Sequence, residues 1–305
     1  MNIFSTVLAN KHSKITNLLV IAVGCFCLFW YSGCAAPRND SNTLPNTSAP
    51  PTPTEQTTLG VPNKETEFCV VGIEVGQNLP LYQSPSRESN IQGSIPPGGK
   101  SIHPLLGSSN ENKDTWVEVD YHGLQGWAEK SHLAIQRGNL PEELVLLGQT
   151  VSASLQEADY GSLEEIIHPQ LCLRFSPYQY LRDTDQVFCP EELVDAQHSQ
   201  EPLVWGNYDG SGEPILLTFQ EYHNKFVYDE DYFQPEVVGF DQEVSQGNAI
   251  NNISDVYPDS IMIEYYFPGF DPQYGGMDWR SLRLVFVNQD GRWFLTALVH
   301  GEWTI

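Results

Sequence analysis

Between Trp116 and Leu133 apolar and polar residues alternate, the alternation breaks at His122-Gly123, and it resumes with an aromatic residue beyond the break. A period of two interrupted by a Gly predicts a β-hairpin. Leu79 to Ser86 (LPLYQSPS) and Ile91 to Lys100 (IQGSIPPGGK) add strand and turn signals upstream. After Gly138 the period changes. Leu144, Leu147, Val151 and Leu155 recur three or four residues apart, Pro141 stands just inside the start, and Glu142-Glu143 fall in the first turn, so 140–158 predicts an amphipathic helix. Ser162 to Ile167 predicts a second short helix stopped by His168-Pro169, and Leu171 to Phe175 predicts a strand. Thr218 with Glu221 three residues on makes a capping box, and Phe219, Tyr222, Phe226 and Val227 supply the apolar stripe of a third helix. Ile261 to Phe267, Ser281 to Val287 and Trp293 to His300 are rich in β-branched and aromatic residues, with Asn288-Gln289-Asp290-Gly291 as a turn between the last two. The expected class is therefore mainly β plus α+β, with helices followed by a curled antiparallel sheet in the second part.

The motifs at 79–86, 91–100 and 116–133, taken in order and spacing, resemble the bacterial SH3-type domain across about Glu67 to Ile135. The resemblance implies a small β-barrel over 67–136, a module of envelope and secreted proteins that binds cell-wall peptides or glycans. Tyr82 stands where that family usually carries Arg, so no contact of that Arg transfers. Tyr82, Trp116, Tyr121 and Trp127 are the candidate contacts, because exposed aromatic faces stack on sugars and peptides. Trp116 and Trp127 suit core positions equally well. In 138–305, the segments Arg174 to Tyr178, Tyr208 to Ile215, Phe226 to Asp229, Gly276 to Leu284 and Trp303 to Ile305 resemble a domain that recurs in bacterial lipoproteins and secreted proteins, at times behind an SH3-type module. That likeness implies no activity. The element order there is similar to the cystatin-like roll of the nuclear transport factor two superfamily, a cone with one open pocket that hosts both enzymes and binders.

Lys11, His12 and Lys14 precede an apolar run from Leu18 to Tyr31, followed by Ser32-Gly33-Cys34 and a polar, Pro-rich stretch. The run is short for a membrane span and ends in small residues before a Cys, as a cleaved leader does. It resembles a bacterial lipobox, which implies a signal peptide over 1–33, lipidation of Cys34, and export to the outer side of the membrane, where the lipid is the only membrane contact. Tyr31 departs from the usual lipobox residue. Ala22-Val23-Gly24-Cys25 is a second candidate, but cleavage there leaves an apolar stub; an uncleaved anchor helix is the other reading. Residues 34–66 hold Pro, Ser, Thr and Asn with few large apolar side chains, so they form a disordered tether with a reach on the order of 30 Å.

The formal net charge of −24 excludes nucleic acid as a partner, since phosphate recognition needs clustered Lys and Arg. Of six Cys residues, Cys172 and Cys189 are placed to close a disulfide worth roughly 3 kcal/mol in an oxidising exterior. Cys69 is left as the odd thiol, expected in the first strand of the barrel.

Catalytic motifs are missing. Cys172 has no Asp-Cys-Ser-Gly-Phe setting of a wall peptidase, and the eight His residues show no HExxH spacing. No GxSxG elbow, GxGxxG turn or phosphate loop occurs, so no catalytic residue, cofactor or metal is assigned. Asn207, Asp209 and Ser211 follow the opening spacing of a calcium loop, but Thr218 occupies the twelfth position, where such a loop needs Glu. Two strand faces supply a candidate pocket: Glu264 alternates with Met262 and Tyr266, and His300 with Phe294, Thr296 and Leu298, while His168 and Arg174 flank the turn after the second helix. The expected protein is an anchored wall binder with a second protein or small-molecule partner. The alternatives are an envelope enzyme using that pocket and a calcium-dependent adaptor.

Overall fold

The five-stranded sheet at the start of the fold is built from short, turn-separated strands. The computed structural model describes residues 65–105, 115–245, 247 and 249–304. The expected leader, Cys34 and the tether as far as residue 64 lie outside the described residues. The chain runs through β1 (Phe68–Val70), β2 (Leu79–Tyr82), β3 (Ile91–Ile95), β4 (His103–Pro104), β5 (Trp116–Tyr121), β6 (Leu124–Glu129) and β7 (Leu133–Gly138). The helix α1 (Glu142–Gln156) follows, then β8 (Leu173–Ser176), β9 (Gln186–Phe188), α2 (Pro190–His198), β10 (Leu203–Asn207), β11 (Pro214–Leu217), α3 (Phe219–Phe226) and β12 (Val237–Phe240). The one-turn α4 (Ile253–Val256) leads into β13 (Ile261–Phe267), β14 (Arg280–Gln289) and β15 (Arg292–Glu302).

The hairpin β5–β6 pairs Trp116 with Glu129 through Tyr121 with Leu124 and turns at His122-Gly123, as the alternation required. With its neighbours it forms a sheet in the order β3-β2-β6-β5-β4 over a core of Leu79, Leu81, Ile95, Val119 and Ala128. The expected closed barrel is not formed. β1 and β7 pair with each other, and β7 gives its other edge to β12 in parallel, so both belong to an eight-stranded sheet ordered β1-β7-β12-β13-β14-β15-β8-β9. A β-strand has only two edges, and those of β7 are both taken inside the large sheet. The small sheet is held beside it through Phe68, whose backbone exchanges hydrogen bonds of 2.8 and 3.0 Å with Ile102. Where β7 ends against β12, Gly138 takes φ +70°, and a Cβ there would strike the Phe240 carbonyl.

The described fold is thus α+β and strand-rich. On one face of the large sheet, α1, α2 and α3 bury Leu144, Val151, Leu155, Leu193, Phe219, Tyr222 and Phe226 against Ile263, Leu282, Leu284 and Leu298. Helix α3 begins at the Thr218–Glu221 capping box: the Glu221 amide donates to Thr218 Oγ1 at 3.3 Å, and the Thr218 amide donates back to Glu221 at 2.8 Å. The second helix expected at 162–167 is only a 3₁₀ turn, Gly161–Leu163, too short and Gly-led to continue before Pro169. On the other face a smaller cluster of Leu181, Ile253, Tyr257, Met262, Val285, Ala297 and Val299 packs beneath the segment that joins β12 to β13.

Candidate functional site

The pairing of β13, β14 and β15 decides which side chains can meet. Glu264 pairs with Arg283 and Arg283 with Val299, whereas His300 pairs with Leu282. Glu264 and Arg283 therefore project to the face of the smaller cluster, and His300 to the helix-covered face. Arg174 pairs with Ala297, on the Glu264 face, but β8 is three strands away from β13 and so about 14 Å across the sheet. The four residues His168, Arg174, Glu264 and His300 do not converge on one hollow.

Each has its own partners. His168 Nδ1 accepts from the Gln170 and Leu171 amides at 3.2 and 3.1 Å, and the ring packs on Phe294; burial lowers its pKa, and the neutral ring caps the turn. Arg174 donates to the Tyr257 hydroxyl at 3.0 Å and the Arg182 carbonyl at 2.7 Å, with Asp185 at 3.8 Å. The expected sharing of a face by His300 and Phe294 fails because the pairing slips between Val285 and Phe286, so Leu295 joins Leu298 in the main core.

His300 sits in a network that sequence spacing does not reveal. Its Nδ1 donates to the Pro177 carbonyl at 3.1 Å and its Nε2 to Asp229 Oδ2 at 3.1 Å, so both nitrogens carry protons and the ring is an imidazolium. Burial alone would push its pKa down; the Asp229 carboxylate, with Glu302 and Pro177 behind it, outweighs that and raises it. Asp229 also accepts from the Tyr232 hydroxyl at 2.8 Å and pairs with Arg280 at 3.1 Å. These contacts lower its pKa against the opposing effect of burial. Nearby, the Tyr160 hydroxyl donates to His223 Nδ1 at 2.8 Å, and burial lowers His223 to about 4, a neutral histidine. Every oxygen and nitrogen of the His300 ring and Asp229 carboxylate is engaged, which makes this network a structural brace.

The opposite face is different. Arg283 and Glu264 are both fully buried, with Arg283 Nε donating to Glu264 Oε1 at 3.0 Å. Glu264 Oε2 accepts from the Val244 and Ser245 amides at 2.6 and 3.3 Å. Arg283 Nη2 donates to Glu243 at 2.6 Å and to Ser245 Oγ at 2.9 Å, but Nη1 has no partner. Ser281 Oγ, Trp279 Nε1 and both amide atoms of Gln179, all buried, have none either. A buried polar atom left without a partner costs free energy of order 1–3 kcal/mol, and native folds hold few of them. Four such residues close together mark this face as the candidate site.

Arg283 escaped sequence reasoning because, in a strand that alternates Arg280, Leu282 and Leu284 with Ser281 and Arg283, the polar set normally faces water. The available signal was Arg283-Leu284-Val285-Phe286-Val287, an apolar run that implies cover on both faces of the sheet.

The remaining candidates sit elsewhere. Tyr82 and Trp127 each keep only 9% of their surface exposed, while Trp116 and Tyr121 are half-buried. Tyr82 and Trp116 meet edge to face at 5.4 Å. Asn207 donates to the Gly212 carbonyl at 2.8 Å, Asp209 lies 3.5 Å from Arg182, and Ser211 Oγ accepts from the Glu213 amide at 3.2 Å, so the three serve the β10–β11 turn and turn no shared set of oxygens toward a cation. Among the described residues no cluster of three or more His, Cys, Asp or Glu could hold a metal ion. Cys172 and Cys189 are joined in a disulfide across β8 and the start of α2. Cys69 is a free, buried thiol in β1, pushed up to about 12 by burial.

The site belongs to an α+β chain in which one mixed sheet carries the saturated His300–Asp229 network on one face and the cluster of unpartnered atoms around Arg283 on the other. No protein-family model matches the chain, and no curated protein matches it. One solved structure that is similar is a putative calcium/calmodulin dependent protein kinase II association domain from Xanthomonas campestris, 13% identical, covering 55% of this chain and 94% of its own, with a TM-score of 0.24. At that score the likeness implies neither a shared fold nor a shared activity.

Proposed function

We propose that the chain is an exported, lipid-anchored envelope protein whose SH3-type segment binds cell-wall peptide or glycan and whose nuclear transport factor two-like roll binds a second partner. Cys34 carries the lipid, and 34–66 is the spacer. The observation that supports wall binding is the ordered set of SH3-type motifs, with Trp116 half-buried on the face of β5 away from the core and Tyr121, also half-buried, packed against that core. The Cys172–Cys189 bridge supports an oxidising location, because such bonds persist outside the cytoplasm. Two of the four aromatic candidates, Tyr82 and Trp127, act from within the packed sheet, so contact falls to Trp116 and Tyr121. The absence of a convergent His168, Arg174, Glu264 and His300 set argues against the enzymatic alternative.

The test is sedimentation with purified peptidoglycan. The parent chain is expected to co-sediment, with Trp116→Ala and Tyr121→Ala each weakening binding about tenfold. Equal binding by the double variant removes the assignment. Incorporation of labelled palmitate that persists in Cys34→Ser would move the anchor from that residue.

A further inference from the structure

The chain leaves β8 at Ser176 and turns toward β9 through Pro177, Tyr178, Gln179 and Tyr180. Beyond the ladder, side chains hold this turn. His300 Nδ1 donates to the Pro177 carbonyl at 3.1 Å, Ser176 Oγ donates to the Tyr178 carbonyl at 2.8 Å, and the Asp209 amide donates to the Tyr178 hydroxyl at 3.3 Å. The Tyr178 ring also meets Phe226 of α3 edge to face at 6.0 Å. Gln179, in the middle, contributes neither of its buried amide atoms. The far end is pinned twice, because Asn252 accepts from the Leu181 amide at 2.8 Å and donates to the Leu181 carbonyl at 3.0 Å. At the near end, His300 is what joins Pro177 to β15.

We propose that His300 is a protonation latch on the 177–180 turn: the imidazolium holds the turn closed, and loss of one proton releases the Pro177 carbonyl and lets the turn open. The latch follows from what stands at the two ring nitrogens. A carbonyl and a carboxylate both accept, so only a ring with two N–H groups satisfies them together. A neutral ring keeps one, and it stays on Asp229 Oδ2 because a carboxylate is the stronger acceptor. Nδ1 then turns a lone pair toward the Pro177 oxygen, and that carbonyl regains a donor only by moving out to water. The charged groups around the ring are Asp229 from the segment after α3, Arg280 from β14 and Glu302 from β15 itself, with Glu230 beside Asp229. Phe226 of α3 packs edge to face on the ring, and Tyr178, whose phenol burial pushes up to about 12, stays neutral. Burial and the Arg280 charge oppose the imidazolium; Asp229, followed by Glu302, outweighs them and sets the folded value above the usual 6.5. The turn is therefore closed at and below pH 6.5, and it opens as pH rises through the folded value. The latch goes beyond the anchoring and wall-binding roles proposed above and depends on neither.

The test is hydrogen–deuterium exchange of the full chain from about pH 5.5 to about pH 9, read as the protection of 178–181 relative to that of β13, a ratio that cancels the intrinsic pH dependence of exchange. The ratio is expected to be level below pH 6.5 and then to fall about tenfold as His300 deprotonates. Asp229→Asn is expected to move that fall about one unit lower in pH. His300→Gln, whose amide donates to the Pro177 carbonyl at every pH, is expected to abolish it. In ¹⁵N spectra at about pH 6, both His300 nitrogens are expected to carry protons. A ratio that stays level throughout, or that falls equally in His300→Gln, overturns the proposal. An unprotonated His300 nitrogen at that pH does so as well, and this spectrum and the parent's exchange profile need no variant to fold.

Discussion

The two faces of β13–β15 hold the same kinds of residue and treat them in opposite ways. On the helix-covered face, His300, Asp229, Tyr232 and Arg280 use their polar atoms on one another and on the Pro177 carbonyl. On the other face, Arg283 and Glu264 are paired, yet Arg283 Nη1, Ser281 Oγ, Trp279 Nε1 and Gln179 are left idle beneath a segment of irregular chain. A saturated buried network fixes a fold, whereas each buried polar atom left without a partner costs of order 1–3 kcal/mol, so the two networks differ in what they contribute to the fold. Residue type does not reveal the difference, because a His–Asp pair would ordinarily attract attention first.

The largest effect that tests this contrast comes from breaking the deepest pair. Arg283→Leu leaves Glu264 charged and buried without its cation, and a loss of about 3–5 kcal/mol is expected in urea unfolding. A loss under about 1 kcal/mol would mean that the pair is not buried as described. Next is the pH profile, in which two histidines act with opposite sign. His300, raised in the folded chain, stabilises fully below its unfolded value near 6.5, and that stability fades as pH rises through the folded value. His223, lowered to about 4, keeps the folded chain from taking a proton that the unfolded chain takes, so stability falls from pH 6.5 toward 4 by on the order of 3 kcal/mol. Asp229 adds a further loss as pH falls through its lowered value, beneath the usual 3.8. Stability is therefore expected to peak near pH 6.5. His300→Gln should flatten the alkaline limb and His223→Gln the acid limb between 6.5 and 4; a variant that leaves its limb unchanged breaks the assignment. The smallest effect is at the helix start: Thr218→Ala is expected to cost about 1 kcal/mol, read by chemical denaturation, with no change on either face of the sheet.

Much of this fold was legible in the chain. The α1 stripe, the Thr218 cap and the three C-terminal strands follow local rules that depend on neighbours three or four residues away, or on alternation. What was not legible depends on distant partners. That β7 would spend its second edge on β12, leaving the small sheet open, is a choice made across a hundred residues. Helix α2 follows a strand and a disulfide Cys, and its cap is Cys189 with Glu192, a pairing outside the usual Ser, Thr, Asp and Asn signals. The single bulge near Val285 reversed the expected facing of Phe294 relative to His300, since one extra residue flips every later side chain. The Glu264 candidate came from alternation and lies within the site; His300 came from the same rule and lies on the far side of the sheet. Arg283 was signalled only by the apolar run that follows it, and Gln179 and Trp279 gave no signal of their own, because what distinguishes them is the absence of partners, which only coordinates reveal.

The most direct test of the division between the two faces is a crystal structure of the chain. The account predicts His300 Nε2 on Asp229 with Tyr232 and Arg280 around it on the helix-covered face, and Arg283 against Glu264 on the other face with no protein partner on Arg283 Nη1, Ser281 Oγ or Trp279 Nε1. Protein partners on those three atoms, or a His300 ring away from Asp229, would contradict it.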